Sequence, residues 1–136
     1  MNFHLILFFS LLVLFSCNSP EEETEKSPAN DQGNPKIAFD KTEHDFGRVK
    51  QGEKVGWFFT YKNVGDSDLI IKRASASCGC TVPEYNKKPL PPGEEASLKV
   101  IYDSSGRLGM EVKTITLQSN AENALVKLKL KVEVIN

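Results

Sequence analysis

Histidine and methionine are nearly absent from this chain of 136 residues, which holds two of each. Only His44 and Met110 lie beyond the first residues, so no cluster of imidazole or thioether ligands can be built from one copy. Other absences narrow the chemistry further. No Gly-x-Ser-x-Gly elbow is present, which argues against a serine hydrolase, and there is no glycine-rich phosphate loop, calcium loop or paired-carboxylate motif. No apolar run approaches the 20 or so residues needed to span a bilayer; the longest, Phe3–Phe15, is about a dozen. Basic residues form no stripe, so nothing favours nucleic acid as a partner. There is no internal repeat.

The first sixteen residues lack Lys, Arg, Asp and Glu altogether. A short apolar core followed by small residues reads as a secretory signal, although its amino end lacks the usual basic residue and offers only His4. The core ends in Leu14-Phe15-Ser16-Cys17, which looks like a lipobox, the cleavage site after which a bacterial lipoprotein carries acyl chains on its new terminal cysteine. Lipidation at Cys17 turns a membrane segment into a membrane anchor. The alternative is a non-lipidated signal or a short anchor in which Cys17 is incidental. Residues 18–35 carry no large apolar side chain and hold Glu21, Glu22, Glu23, Glu25 and Asp31 against Lys26. Such a segment cannot bury enough surface to order itself and reads as a disordered acidic linker. Glu21–Glu23 resembles an acidic surface-export signal of some Gram-negative lipoproteins, with a plain solvated spacer as the alternative. The expected organisation is a signal peptide over 1–16, lipidated Cys17 with the linker over 17–35, and one domain over 36–136.

That domain keeps 16 basic and 13 acidic residues, a mild balance. Its apolar residues repeat every second position. Val55, Trp57, Phe59 and Tyr61 share one face; Ala96, Leu98, Val100 and Tyr102 make a second set, and Ile115 with Leu117 centre a third. Val126, Leu128, Leu130, Val132 and Val134 alternate with Lys127, Lys129, Lys131 and Glu133, as in a strand buried on one side. Shorter strands are expected at 36–40, 44–49 and 69–74. Gly, Pro, Asn and Asp mark the breaks at 51–53, 63–66, 91–94, 104–106 and 119–123. Short strands spaced by such turns predict an all-β fold, an antiparallel β-sandwich of about seven strands. Its core is expected to hold Trp57, Phe59, Leu98, Val100, Ile115, Leu117, Leu128 and Leu130. Phe58, on the other face of its strand, would seed a contact surface if exposed.

The order Phe39, His44-Asp45-Phe46-Gly47, Gln51-Gly52-Glu53, Phe59-Thr60-Tyr61-Lys62-Asn63, Leu69-Ile70-Ile71, Ser77-Cys78-Gly79-Cys80-Thr81, Pro92-Gly93-Glu94 and Ser119-Asn120 resembles domain-of-unknown-function family 1573. The resemblance covers nearly all of 36–136, and the Ser-Cys-Gly-Cys-Thr run is its most specific element. It implies an immunoglobulin-like fold, similar to major-sperm-protein and cilia-associated domains, in an exported bacterial protein that is often a lipoprotein. It implies no activity, and a sandwich fold supplies none by itself.

Cys78-Gly79-Cys80 is the only constellation with reactive potential. The pair reads as small buried side chains, as a disulfide that Gly79 would have to bend the chain to close, as redox-labile thiols, or as a soft-metal site. Two thiolates suit Cu(I), with His44 as the sole imidazole available to join them; a zinc site within one chain lacks ligands. His44-Asp45 reads as a polar strand edge rather than an acid–base pair. No catalytic residues and no cofactor beyond the lipid are expected. The sequence therefore describes a lipid-anchored protein of a Gram-negative cell envelope, at the outer membrane. Its sandwich domain would bind an envelope partner or serve structurally, with a thiol-redox or Cu(I)-handling role for Cys78 and Cys80 as the alternative. Binding is expected through edge strands or through the loops at 104–109, 119–123 and 78–92.

Overall fold

The computed structural model describes residues 33–136. The signal segment, Cys17 and the linker as far as residue 32 lie outside the described residues. Eight strands follow in order: β1 (Ile37–Phe39), β2 (Glu43–Lys50), β3 (Lys54–Asn63), β4 (Ile71–Ala76), β5 (Thr81–Glu84), β6 (Glu95–Asp103), β7 (Gly109–Ser119) and β8 (Leu125–Ile135). They form two four-stranded sheets, β1-β3-β6-β5 and β2-β8-β7-β4.

Seven strands were expected and eight are present. The additional one is β5, inside the stretch 78–92 that reads as a loop. Pro83 conceals it, because proline cannot donate to a ladder and is confined to sheet edges; β5 is an edge strand, paired only with β6. The sandwich is also not wholly antiparallel, since β2 pairs with β8 in parallel. β1 runs antiparallel to β3, and the tight Gln51–Glu53 turn, closed by Glu53 N–H donating to Lys50 C=O at 3.1 Å, reverses the chain between β2 and β3. β1 and β2 thus share one direction, and the three residues between them carry the chain from one sheet to the other.

Alternation does what it predicts. Phe59 and Tyr61 of β3, Leu98, Val100 and Tyr102 of β6, Ile115 and Leu117 of β7, and Leu128, Leu130, Val132 and Val134 of β8 close over one another at 2% exposure or less. Each is worth roughly 1.5–3 kcal/mol relative to an exposed position. Trp57 departs from the expected core: it packs against it but is only half-buried. On the outer face of the second sheet the Lys row of β8 is paired with β2, where Glu43 bridges Lys129 at 3.3 Å and Lys131 at 2.9 Å.

The expected linker ends before Pro35. That residue is buried, its carbonyl accepts Glu122 N–H at 2.8 Å, and Asn34 N–H donates to Asp66 Oδ1 at 2.6 Å. Gly65 permits this entry, because a Cβ there would collide with the backbone of 34–36.

The core predicts a contrast between two leucines of β8. Leu128→Ala should lower unfolding free energy by about 2–5 kcal/mol, whereas Leu125→Ala, at a position 66% exposed, should change it by less than about 0.5 kcal/mol. Urea denaturation of both variants checks this.

Candidate functional site

Three features stand out from the packing: the cysteine turn, a half-buried charge cluster beneath it in the sandwich, and an aromatic edge on the far side.

The Cys78-Gly79-Cys80 turn carries the chain from β4 in one sheet to β5 in the other. Both ladders run up to it. Ser77 N–H donates to Thr114 C=O at 2.9 Å, continuing the β4–β7 pairing, and Asp103 N–H donates to Cys80 C=O at 2.9 Å, continuing β5–β6. The two cysteines are joined in a disulfide with Cα atoms 5.3 Å apart. Two residues in an extended strand stand farther apart than this; the turn at Gly79 brings them within bonding range. Thr81 is buried, and its Oγ1 lies 3.7 Å from the Sγ of both Cys78 and Cys80. Disulfide sulfurs carry no hydrogen, so Thr81 is the only donor in these contacts. Gly79 is exposed, and apart from its two chain neighbours nothing lies within 4 Å of where a Cβ on it would sit. The bond closes a loop of only three residues. Chain entropy then assigns it about 1.5 kcal/mol, against about 3 kcal/mol for a loop of about 15 residues.

Tyr102, on β6 of the same sheet as β5, reaches across to β7. Its hydroxyl donates to Glu111 Oε2, which also receives Lys113 Nζ at 3.1 Å, while Glu111 Oε1 receives Arg107 Nη1 at 3.2 Å. Burial pushes the Glu111 carboxyl up, but donation from Tyr102, Lys113 and Arg107 outweighs it and holds the group below its ordinary value. Burial and the same hydrogen bond push the Tyr102 phenol far above its ordinary value. Arg107 Nε is buried without a partner among the described residues. Reading the sequence for reactive motifs misses this cluster. Its signal was present in phase: Glu111 and Lys113 share the inward register of Ile115 and Leu117, two charges in an otherwise apolar row.

On the opposite edge of the second sheet from β4, His44 of β2 stacks on Trp57 of β3, with ring centroids 3.6 Å apart, and meets the edge of Phe46 at 4.7 Å. Desolvation lowers the His44 pKa below 6.5. The structure thus brings Cys78 and Cys80 together and places His44 on another edge against an aromatic ring. Among the described residues no three His, Cys, Asp or Glu side chains gather as a metal site requires. Phe58 is 57% exposed and lines a shallow cleft of about 150 Å³ with Asp40, Lys41, Trp57, Phe59 and Thr60.

Residues 37–134 match the family described as "Protein of unknown function (DUF1573)". The chain belongs to that family. No curated protein matches it by sequence. Among solved structures it is similar to a protein of unknown function from Porphyromonas gingivalis W83, with 20% identity and a TM-score of 0.62 over 74% of this chain and 46% of that one. It is similar to the ASH/PapD-like domain 7 of human CEP192, with 10% identity and a TM-score of 0.62 over 74% of this chain and 86% of that domain. The secreted serine protease VesC of Vibrio cholerae is a third, with 13% identity and a TM-score of 0.58 over 74% of this chain and 23% of that one. The chain thus spans less than half the length of the Porphyromonas and Vibrio proteins. At these identities the likeness establishes the fold: an immunoglobulin-like, PapD-like β domain.

Two outcomes follow from these environments. Glu111→Ala strands Lys113 and Arg107 and should lower stability by about 3 kcal/mol. Because the folded-state pKa of Glu111 is depressed, its contribution is complete above the ordinary value of 4.5 and is lost as pH falls through the lower folded value. Acid titration of wild type and Glu111→Ala should therefore diverge least below that window. Trp57 is the only tryptophan, so intrinsic fluorescence reports its stacked partner. Its intensity should titrate with a midpoint below 6.5, and His44→Gln should abolish the transition.

Proposed function

We propose that this chain is a lipid-anchored protein of the Gram-negative outer membrane, without enzymatic turnover. Its sandwich binds an extended polypeptide segment along the free edge of β3. The anchor rests on the apolar run Phe3–Phe15 ending at Cys17. The absence of a nucleophile elbow, phosphate loop or carboxylate pair in the sequence supports a binding role over catalysis.

One observation carries the binding surface. β1 covers only Tyr61–Asn63 of β3, after which Asp40 N–H donates to Thr60 C=O at 3.2 Å and the chain leaves for the second sheet. Lys54–Phe58 is therefore paired with β6 on one side and, among the described residues, with no strand on the other. Residues along an antiparallel strand direct their backbone groups alternately to either side. Thr60 points to the β1 side, so Phe58 and Gly56 do so as well. An exposed edge is a template for a further strand, and native folds normally blunt it with charge, proline or a covering loop. Here exposed Phe58 and half-buried Trp57 flank it on its two faces, next to the cleft at Asp40 and Lys41. Main-chain pairing would supply affinity, and the pockets for alternate side chains would supply selectivity.

Two measurements test the reading. Intact mass of protein extracted from membranes should show loss of residues 1–16 and acyl chains on Cys17; an unmodified N-terminus overturns the anchor. A photo-crosslinking amino acid at position 58 should couple to a discrete partner in intact cells, and one at the remote exposed position 125 should not. Equal coupling at both positions, or none at 58, overturns the edge site.

A further inference from the structure

We propose that Cys78-Gly79-Cys80 is a thiol–disulfide exchange site that accepts two electrons from a dithiol, with Thr81 positioned to stabilise the departing thiolate. The inference stands apart from the binding reading, since the two share no residue and lie at different edges of the fold.

Three observations converge on the turn. First, the disulfide closes a ring of the smallest useful size, two positions apart in sequence, so it constrains the unfolded chain little compared with a staple across a long loop. Hydrogen bonds from Ser77, Thr81 and Asp103 already hold the backbone on both sides of it. Second, one buried hydroxyl, Thr81 Oγ1, lies within hydrogen-bonding range of both sulfurs. Thr81 is fixed at the start of β5 opposite Tyr102, so the strand sets where its hydroxyl sits. A donor so placed favours the anionic form of whichever sulfur is released, and a better leaving thiolate leaves faster. Third, both cysteines are only half-buried and Gly79 between them is exposed, which leaves the turn open to an incoming thiolate. The chain's one other cysteine, Cys17, is a single thiol and cannot act as a dithiol, so the electrons come from a second molecule.

The step balances as follows. A thiolate of the dithiol attacks one of the two sulfurs and a mixed disulfide forms. The Cys78–Cys80 bond breaks, and its electron pair stays on the other sulfur, which receives the Thr81 hydrogen bond and then a proton. The second thiolate of the dithiol attacks the mixed disulfide, closes its own S–S bond and releases the remaining cysteine, which is protonated in turn. Two electrons and two protons pass to Cys78 and Cys80, and the dithiol is oxidised to a disulfide.

The test uses the full chain in detergent, with reduced dithiothreitol as the dithiol and reduced glutathione as a monothiol control. The redox state is read after alkylation from the mass of the tryptic peptide Ala74–Lys87, which contains both cysteines. Wild type should be reduced by millimolar dithiothreitol without denaturant. Thr81→Val should slow that reduction by roughly tenfold, and Thr81→Ser should stay within about twofold of wild type. Once reduced, at least one wild-type thiol should alkylate with an apparent pKa below the ordinary value of about 8.5. A bond that yields only after unfolding overturns the proposal. So do a Thr81→Val variant that matches wild type and thiols that titrate at or above the ordinary value, and the last measurement does not depend on the variant folding.

Discussion

Everything in this sandwich depends on getting polar backbone past the rim of an apolar core. Five of the seven connections between strands change sheet. Each crossing takes peptide groups out of one ladder before they enter the next, and a peptide group left unpaired near the core costs as much as a lost hydrogen bond. The side chains at these crossings answer that demand. Asn63, fully buried at the end of β3, donates through Nδ2 to Ser67 C=O at 2.7 Å and Leu90 C=O at 2.8 Å and accepts Gly65 N–H on Oδ1. Ser104, also fully buried, shares its hydroxyl proton between Lys50 C=O and Glu53 C=O, tying the crossing after β6 to the one before β3. Asn120 bonds both Ile70 N–H and Asp68 C=O, and Asn123 does the same for the N–H and C=O of Ile37. These amides act as substitute peptide groups, each offering a donor and an acceptor where the ladder has run out.

The same switching explains why one edge has no partner strand among the described residues. β1 and β2 lie in line, one in each sheet, so the first sheet receives only a three-residue edge strand and the second receives eight residues of β2. β2 is sealed against further pairing by its own irregularity: Gly47, at a φ of +65°, breaks the register between Asp45 and Arg48. β5 is short and carries Pro83. Of the edges in the first sheet, only the stretch of β3 beyond β1 has neither device. Trp57 lies on this stretch of β3, and its ring is met from the other sheet by His44.

Much of this was legible from alternation alone. In the row Val126 to Val134, strict alternation with the lysines and the β-branched valines outweigh the helix propensity of Leu and Lys, and Phe59, Leu98, Ile115 and Leu128 fall in the core as their phase requires. What escaped the sequence were the features that depend on partners. β5 is too short and too interrupted by Pro83 to show a period. The parallel pairing of β2 with β8 depends on which edge the chain reaches after Asp40, and no local pattern encodes that. Asn63 was readable as a turn residue, but its role as a buried hub was not, because its partners at Ser67 and Leu90 come from two separate loops. At the cysteine turn, the two Cys announce themselves, whereas Thr81 looks like any strand threonine until β5 exists to hold it. The charges at 111 and 113 form no reactive motif and show only as a break in phase ahead of Ile115 and Leu117.

The crossing at Cys78-Gly79-Cys80 differs from the other four in a way that bears on its chemistry. At the crossings before β3, after β3 and after β6 an amide or hydroxyl side chain holds the chain across the gap, and at the β1–β2 crossing backbone bonds from Asp40 and to Thr42 do so. Here the ladders already extend to Ser77 on one side and Cys80 on the other, and Thr81 N–H closes the turn onto Cys78 C=O at 3.3 Å. Only Cys78 and Gly79 remain to be spanned. The topology is therefore complete without the covalent bond, and the bond adds little by way of loop entropy. A sulfur–sulfur link that the fold does not need for closure can be opened without taking the sandwich apart. That separation between holding the crossing and holding the sulfurs together is what an exchange site requires, because its reduced and oxidised forms must both keep the scaffold that presents them.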